Sequence, residues 1–317
     1  MIRRMLLAAL LAAAPTIQAQ EYPSRPIKIV APFPAGGSAD LIPRVIGEKL
    51  SLKWGQPVIV ENRAGAAGNI GAEYVFKAEP DGHTLLSSPP PPLIINPSLY
   101  RNLPFDPTQF VPIGIMVAIP NVVLVNPRVH VNSIRELIAY AKANPDKLNY
   151  VSQGSGTTSH LTGEMFKSMA GVRLTHIPYK GSAPALTDLL AGQVEMMFDN
   201  LGVSRQHVVS GKLKLLAVCS EKRVASLPEV PALAEILPGF EAVAWFGIVA
   251  PPKTPMPIAE KISAAVAEVL KLPDVRKRLA DLSAEAIGST PAEMAAFMKK
   301  DAERWRGVIL SAGVKAD

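Results

Sequence analysis

Two short stretches of this sequence place glycines, small hydroxyls and backbone amides where an anionic group can be held. The first is Pro32-Phe33-Pro34-Ala35-Gly36-Gly37-Ser38-Ala39-Asp40, and the second is Gly154-Ser155-Gly156-Thr157-Thr158-Ser159-His160. Each follows a strand-like run and precedes an apolar pattern of helical period, so each reads as a strand-to-helix turn. Glycine lets backbone approach a ligand closely, and the first N–H groups of a helix have no partner within it. A helix N-terminus carries about half a positive charge, worth typically 0.3–1 kcal/mol to an anion and up to about 2 kcal/mol when partly buried. Two such termini facing one another hold an anion without a salt bridge, and neither loop contains Arg or Lys. Asp40 falls in the first turn of its helix, where it caps well but repels a carboxylate. It therefore addresses a ligand amine or hydroxyl, or only caps. Asp199, just after the run Val194 to Phe198, is the one acidic residue expected at the cleft, with a turn or N-cap role as the alternative. Tyr179 either offers a hydroxyl or covers core.

Other chemistries are weaker. The phosphate-loop pattern Gly-x-x-x-x-Gly-Lys-[Ser/Thr] is absent, and Gly154-Ser155-Gly156 lacks the third glycine of a dinucleotide fingerprint. Ser155, His160 and Asp199 supply the residue types of a hydrolase, but without the Gly-x-Ser-x-Gly spacing of a nucleophile elbow. His160 and Glu164 share a helix face with no further His or Cys beside them, so no metal and no cofactor is expected. The chain carries 33 basic and 27 acidic residues, and the Lys and Arg are scattered without interleaved aromatics, which argues against a nucleic-acid surface. The single cysteine, Cys219, lies in an apolar run and reads as a small buried core residue.

The elements that must position these loops follow from the period of the apolar residues. Ile27 to Ala31 is a strand, and Leu41, Ile42, Val45, Ile46 and Leu50 then share one helical face. Because Pro43 sits early in that pattern, the helix is expected to start at or near Asp40. Strands at Pro57 to Glu61 and Thr84 to Ser87 flank a helix from Asn69 to Ala78. Pro89 to Pro92 reads as rigid polyproline II. Further strands are expected at Val111 to Val117, Asn121 to Val125, Leu148 to Ser152, Thr175 to Ile177, Val194 to Phe198, Leu213 to Val218 and Ala242 to Val249. Helices are expected at Ser133 to Ala143, His160 to Ala170, Ala183 to Leu190, Met256 to Leu270 and Pro291 to Ala312. Strands alternating with helices predict α/β architecture with largely parallel sheets. The length favours two doubly wound domains: 20–116 with 240–317, and 117–239. The chain would cross between them twice, near Gly114 and Gly239, forming a hinge.

Arg3 and Arg4 precede an apolar core from Met5 to Ala14, followed by Ile17-Gln18-Ala19. That core is far shorter than the roughly 20 residues a spanning helix needs, and the pattern predicts a cleavable signal peptide over 1–19. Its removal leaves 31 basic against 27 acidic residues, a charge of +4. The expectation is a soluble, monomeric protein of the bacterial periplasm that binds a small ligand, either for transport or, as the alternative, as the ligand-sensing subunit of a signalling system.

Pro32-Phe33-Pro34-Ala35-Gly36-Gly37-Ser38, Val60-Glu61-Asn62-Arg63-Ala64-Gly65, Pro80-Asp81-Gly82, His176-Ile177-Pro178-Tyr179-Lys180-Gly181, Leu189-Leu190-Ala191-Gly192-Gln193 and Trp245-Phe246-Gly247 stand in an order that resembles the substrate-binding proteins of tripartite tricarboxylate transporters, the TctC or Bug family. The resemblance runs from Tyr22 to Gly313. It implies a type II periplasmic-binding-protein fold that grips a small carboxylate between its domains and hands it to integral-membrane transporter subunits, with no catalysis. By the same resemblance the carboxylate contacts are Ala35, Gly36, Gly37 and Ser38 from one domain and Ser155, Gly156, Thr157 and Thr158 from the other. Asp199 matches a position facing other polar groups of the ligand. His83 stands where the family usually has Tyr, and Ser152-Gln153 replaces a more usual Gly-Ser pair. Phe33, Ser88 and Gln153 border the expected pocket and complete the candidate set with Asp40, His160 and Tyr179.

Overall fold

The computed structural model describes residues 22–315, and the signal peptide expected over 1–19 lies outside the described residues. The chain opens with strand β1 (Ile27–Ala31), helix α1 (Ser38–Trp54), β2 (Val58–Asn62), α2 (Asn69–Phe76) and β3 (Thr84–Ser88). These strands are parallel in the order β2-β1-β3, with both helices as crossovers. A long strand β4 (Val111–Val125) leads to α3 (Ile134–Ala143), β5 (Asn149–Ser152), α4 (Thr158–Ala170), β6 (Thr175–Pro178), α5 (Ser182–Ala191), β7 (Met196–Asn200), α6 (Leu201–Val209) and β8 (Lys214–Val218). The chain then returns through β9 (Val243–Ala250), α7 (Met256–Val269), α8 (Pro273–Asp281), the short β10 (Glu285–Ala286) and α9 (Pro291–Ala312).

Local signals explain most of these elements. Helix α1 buries Ile42, Val45, Ile46 and Leu50 on one face and ends at Gly55, whose φ of 63° suits the left-handed residue that commonly closes a helix. It begins at Ser38, earlier than the placement of Pro43 suggests. The ring removes only the N–H that would bond to the Ala39 carbonyl, and the buried face holds the rest. Pro89 to Pro92 is not polyproline II. Pro91–Ile95 forms a turn of π-helix, with Leu93 and Ile94 donating to the Pro90 carbonyl at 3.0 and 2.9 Å. Prolines at a helix start lack N–H groups the turn does not need, and burial of Leu93, Ile94 and Ile95 selects the compact form.

The two strands expected on either side of Pro120 are one continuous strand, β4. Its first part, through Pro120, pairs with β9, while Asn121 to Val125 pairs with β7 and β8. The change of pairing partners along β4 falls at Pro120–Asn121. Proline is tolerated there because its missing N–H coincides with the point where the ladder changes hands. Helices α6 and α8 have no counterpart in the sequence expectation. In α6 the run Leu201-Gly202-Val203-Ser204 is poor in strong helix formers and only weakly amphipathic.

Helix α9 is fixed to β9 by one buried carboxylate. Asp301, 4% exposed, accepts the indole N–H of Trp245 at 2.8 Å and of Trp305 at 3.2 Å on one oxygen. Its other oxygen pairs with Arg304 at 2.8 Å.

Candidate functional site

Between the two sheet regions lies a narrow inner pocket of about 20 Å³, reached by Gly37, Ser38, Gln153, Ser182, Asn200 and Phe246. Beside it is an outer chamber of about 540 Å³, which shares Phe33, Pro34, Gln153 and Gly181 with the inner one. Residues on opposite sides approach closely. A Cβ on Gly181 would stand 3.2 Å from Pro34, and one on Gly156 would stand 2.9 Å from Leu99.

Three helix N-termini meet at the inner pocket. They belong to α1 at Gly37, α5 at Gly181 and α6 at Asn200, and none of the three has a side-chain cap. Uncapped termini aimed at one point combine free amide donors with like-signed ends of three dipoles, which favours an anion. The Ser38 hydroxyl, on a residue only 3% exposed, has no hydrogen-bond partner there. Helix α4, which the second loop was expected to aim at the ligand, is capped by its own chain, since His160 N donates to Thr157 Oγ1 at 3.3 Å.

The two acidic candidates are both buried, and in opposite electrostatic states. Burial raises the Asp40 carboxyl, but Arg44, the Gly36 amide and Asn62 outweigh it and hold the group below its usual range. Arg44 lies 2.8 Å from Asp40, so this charge is compensated. Asp199 is fully buried behind Gln153, Ser182 and Asn200. Its Oδ1 accepts from Gln153 Nε2, from Ser182 Oγ at 3.1 Å and from Asn200 N at 2.7 Å, while its Oδ2 has no partner. Burial pushes this carboxyl up to about 6, against those three bonds.

The second loop is held from behind by stacked imidazoles. The rings of His160 and His176 lie 3.9 Å apart and nearly parallel, with Tyr150 stacked on the far side of His176. Gly156 N donates to His160 Nδ1 at 3.1 Å, and His176 Nε2 lies 2.7 Å from Ser152 Oγ, which itself accepts from Gly154 N at 3.1 Å. Burial pushes His160 down to about 4, with Glu164 opposing and Lys167 assisting. Burial, then His160 and Lys167, push His176 down to about 3. Below about pH 6.5 the unfolded chain takes up protons that these folded imidazoles refuse, so stability falls with pH, by about 3 kcal/mol for His160 alone by about pH 4. Asp199 acts oppositely: folded, it binds its proton below about pH 6, which returns about 2 kcal/mol by about pH 4. Two imidazoles outweigh one carboxyl, so urea unfolding midpoints should drop between pH 7 and 4.5. His176→Phe keeps the ring stack and removes one site, and its drop should be smaller. An equal drop in the variant would contradict this account.

The structure gathers only part of the candidate set around the cavities. Phe33, Gly37, Ser38, Gln153, Ser155, Thr157 and Tyr179 line them. Ala35 and Gly36 lie in the same loop but do not line either cavity, and the Gly36 amide is engaged by Asp40 Oδ2 at 3.1 Å. Gly156 is engaged by His160, Thr158 is 3% exposed, and Ser88 is buried with its hydroxyl on the Pro89 carbonyl. Asp40, His160 and Asp199 lie behind the cavity walls. Tyr179 presents its ring, because its hydroxyl donates to Asp188 at 2.5 Å. Sequence reasoning missed Ser182, Asn200 and the loop Gly65 to Gly68. Only the motif ending in Ala64-Gly65 hinted at the last. Among the described residues no group of three or more His, Cys, Asp or Glu could hold a metal, and no helix is long and apolar enough to cross a membrane.

Known proteins share this fold. The structure of Rpa4515 from R. palustris with adipate superposes with a TM-score of 0.90 at 37% identity, covering 93% of this chain and 99% of that one. The periplasmic binding protein BugD gives 0.88 at 38% identity, covering 93% and 100%. MatC (Rpa3494) from Rhodopseudomonas palustris with bound malate gives 0.85 at 32% identity, covering 91% and 100%. The α/β architecture is therefore that of these periplasmic binding proteins, the type II fold. The model of the tripartite tricarboxylate transporter family receptor, TctC, matches residues 42–314, and the chain belongs to that family.

Proposed function

We propose that this protein captures a small organic carboxylate in the cleft between its two sheet regions and delivers it to membrane-embedded transporter subunits, without chemical change to the ligand. The observation that carries the reading is the meeting of three uncapped helix N-termini beside the unpartnered Ser38 hydroxyl. Adipate and malate in the two R. palustris neighbours support carboxylate as the ligand class. In this reading the protein works as an exported monomer in the periplasm. Segments 20–116 with 240–317 form one jaw and 117–239 the other. Ligand draws the jaws together through the strands β4 and β9 that join them.

Thermal-shift titration of the exported chain with adipate, malate, citrate, benzoate and hexanoate tests this. An acid at about 100 times its dissociation constant should stabilise the fold by about 2.7 kcal/mol, and scattering should show a smaller radius of gyration. If no acid raises the melting temperature while an ester or amide is hydrolysed, the protein is an enzyme and the proposal is lost.

A further inference from the structure

We infer that the ligand is a carboxylate with an apolar body of at least ring size or about six carbons, and that compact hydroxylated polyanions are poor ligands. This rests on the carboxylate reading above and deepens it. The inner pocket, at about 20 Å³, has space for about one water-sized group, so it admits one oxygen-bearing end of a ligand and nothing bulkier. The remainder must occupy the outer chamber, whose volume of about 540 Å³ lies in the range of about 300–1,000 Å³ that encloses much larger molecules.

The walls of that chamber decide what it takes. One side is Phe33 and Pro34, and the other is Pro178 with the ring of Tyr179. Ala64, Ala66 and Ala67 add small apolar side chains to the lining. Ala66 and Ala67 are held at φ of 46° and 50°, a conformation that side chains beyond glycine seldom adopt, and such strain concentrates at ligand-facing loops. Three of the polar side chains that face the chamber are already engaged within the protein, and the hydroxyl of Ser155 is exposed at its edge. Gln153 donates to Asp199, Thr157 Oγ1 to the Gly154 carbonyl at 2.7 Å, and Tyr179 to Asp188. A second carboxylate would find no buried cation among the described residues that line the chamber. Among them Lys180 is the one cation, it is exposed, and an exposed charge gives an anion little net attraction in salt. Removing apolar surface from water is then the main source of discrimination, and it grows with the ligand's apolar area.

Calorimetric titration of the exported chain with benzoate, hexanoate, adipate, malate and citrate at physiological salt tests the inference. Benzoate and hexanoate should bind at least about tenfold more tightly than malate and citrate, a difference of about 1.4 kcal/mol. Lys180→Gln should change the dissociation constants of hexanoate and adipate alike, by less than about threefold. Malate or citrate binding as tightly as benzoate would overturn the inference and leave the carboxylate reading standing. So would a selective, tenfold loss of adipate binding in Lys180→Gln, because the far end of the ligand would then be held by charge. Absence of binding by all five acids would remove both.

Discussion

Replacing Gly156 with valine is expected to weaken binding of hexanoate or adipate by about 100-fold or more, equivalent to about 2.7 kcal/mol. Gly156 sits at φ 79°, which a β-branched residue adopts only with strain. The added Cβ would also stand 2.9 Å from a methyl of Leu99 and 3.6 Å from Asn96 Oδ1, across the cleft. Neither neighbour can give way easily. Leu99 is buried, and Asn96 is fixed by donating to the Ala67 carbonyl at 3.1 Å and to Asn69 at 2.6 Å. The side chain therefore acts as a wedge between the two sheet regions, opposing the closed arrangement that surrounds the ligand. Gly36→Ala provides the comparison. At φ 90° it is also strained, but its Cβ would meet only Ala183 at 4.0 Å, so a loss nearer tenfold is expected, about 1.4 kcal/mol. Calorimetry on both variants, with urea unfolding to establish that each is folded, separates strain from the wedge. A folded Gly156→Val protein that binds within threefold of the parent would show that the cleft does not close across this point.

Asp301→Ala should cost about 3–5 kcal/mol of stability, the largest loss expected from any single change in the helix layer. The carboxylate satisfies two buried indole N–H groups and one guanidinium together, from Trp245 on β9 and Trp305 and Arg304 on α9. Alanine leaves both indoles without an acceptor and opens a cavity where the carboxylate stood, and each orphaned buried donor carries its own desolvation cost. Asn, whose carbonyl oxygen still accepts from the indoles, should cost only about 1–2 kcal/mol. Denaturant unfolding of the three proteins at pH 7 measures this, and the affinity for a carboxylate should be unchanged in any variant that remains folded. A loss below about 1 kcal/mol in Asp301→Ala would mean that the indoles find other acceptors or water, and that α9 is held by apolar packing alone.

The two variants probe parts of the molecule that were unequally visible in the sequence. Gly36, Gly37 and Gly156 stand out as residues of strand-to-helix turns, and their positions in the structure follow that reading. Nothing in the sequence pairs Asp301 with Trp245, because that contact spans 56 residues and depends on where α9 lies against β9.

The sequence by itself determined whatever is set within a turn or two of chain. Short runs of strand-forming residues give β1, β3, β5 and β7, the apolar period gives α1, α4 and α9, and the glycines mark the first loop as an N-terminus open to a ligand. Tertiary structure decided which termini reach the same point. The second loop resembles the first in composition, yet its helix is capped by Thr157 and its Gly156 amide is taken by a histidine buried against another histidine from β6. The termini that join α1 at the pocket belong instead to α5 and α6. They arrive there because β4 crosses from one sheet region to the other and pairs Asn121 with Asn200. Asp199 was legible as an acid near the cleft, but its burial, with one oxygen bonded three times and the other unpartnered, depends on Gln153 and Ser182 from two other elements. Caps, turns and periods are short-range and can be read along the chain. Convergence of dipoles and desolvation of a charge arise from strand pairing between distant residues, and no local pattern encodes them.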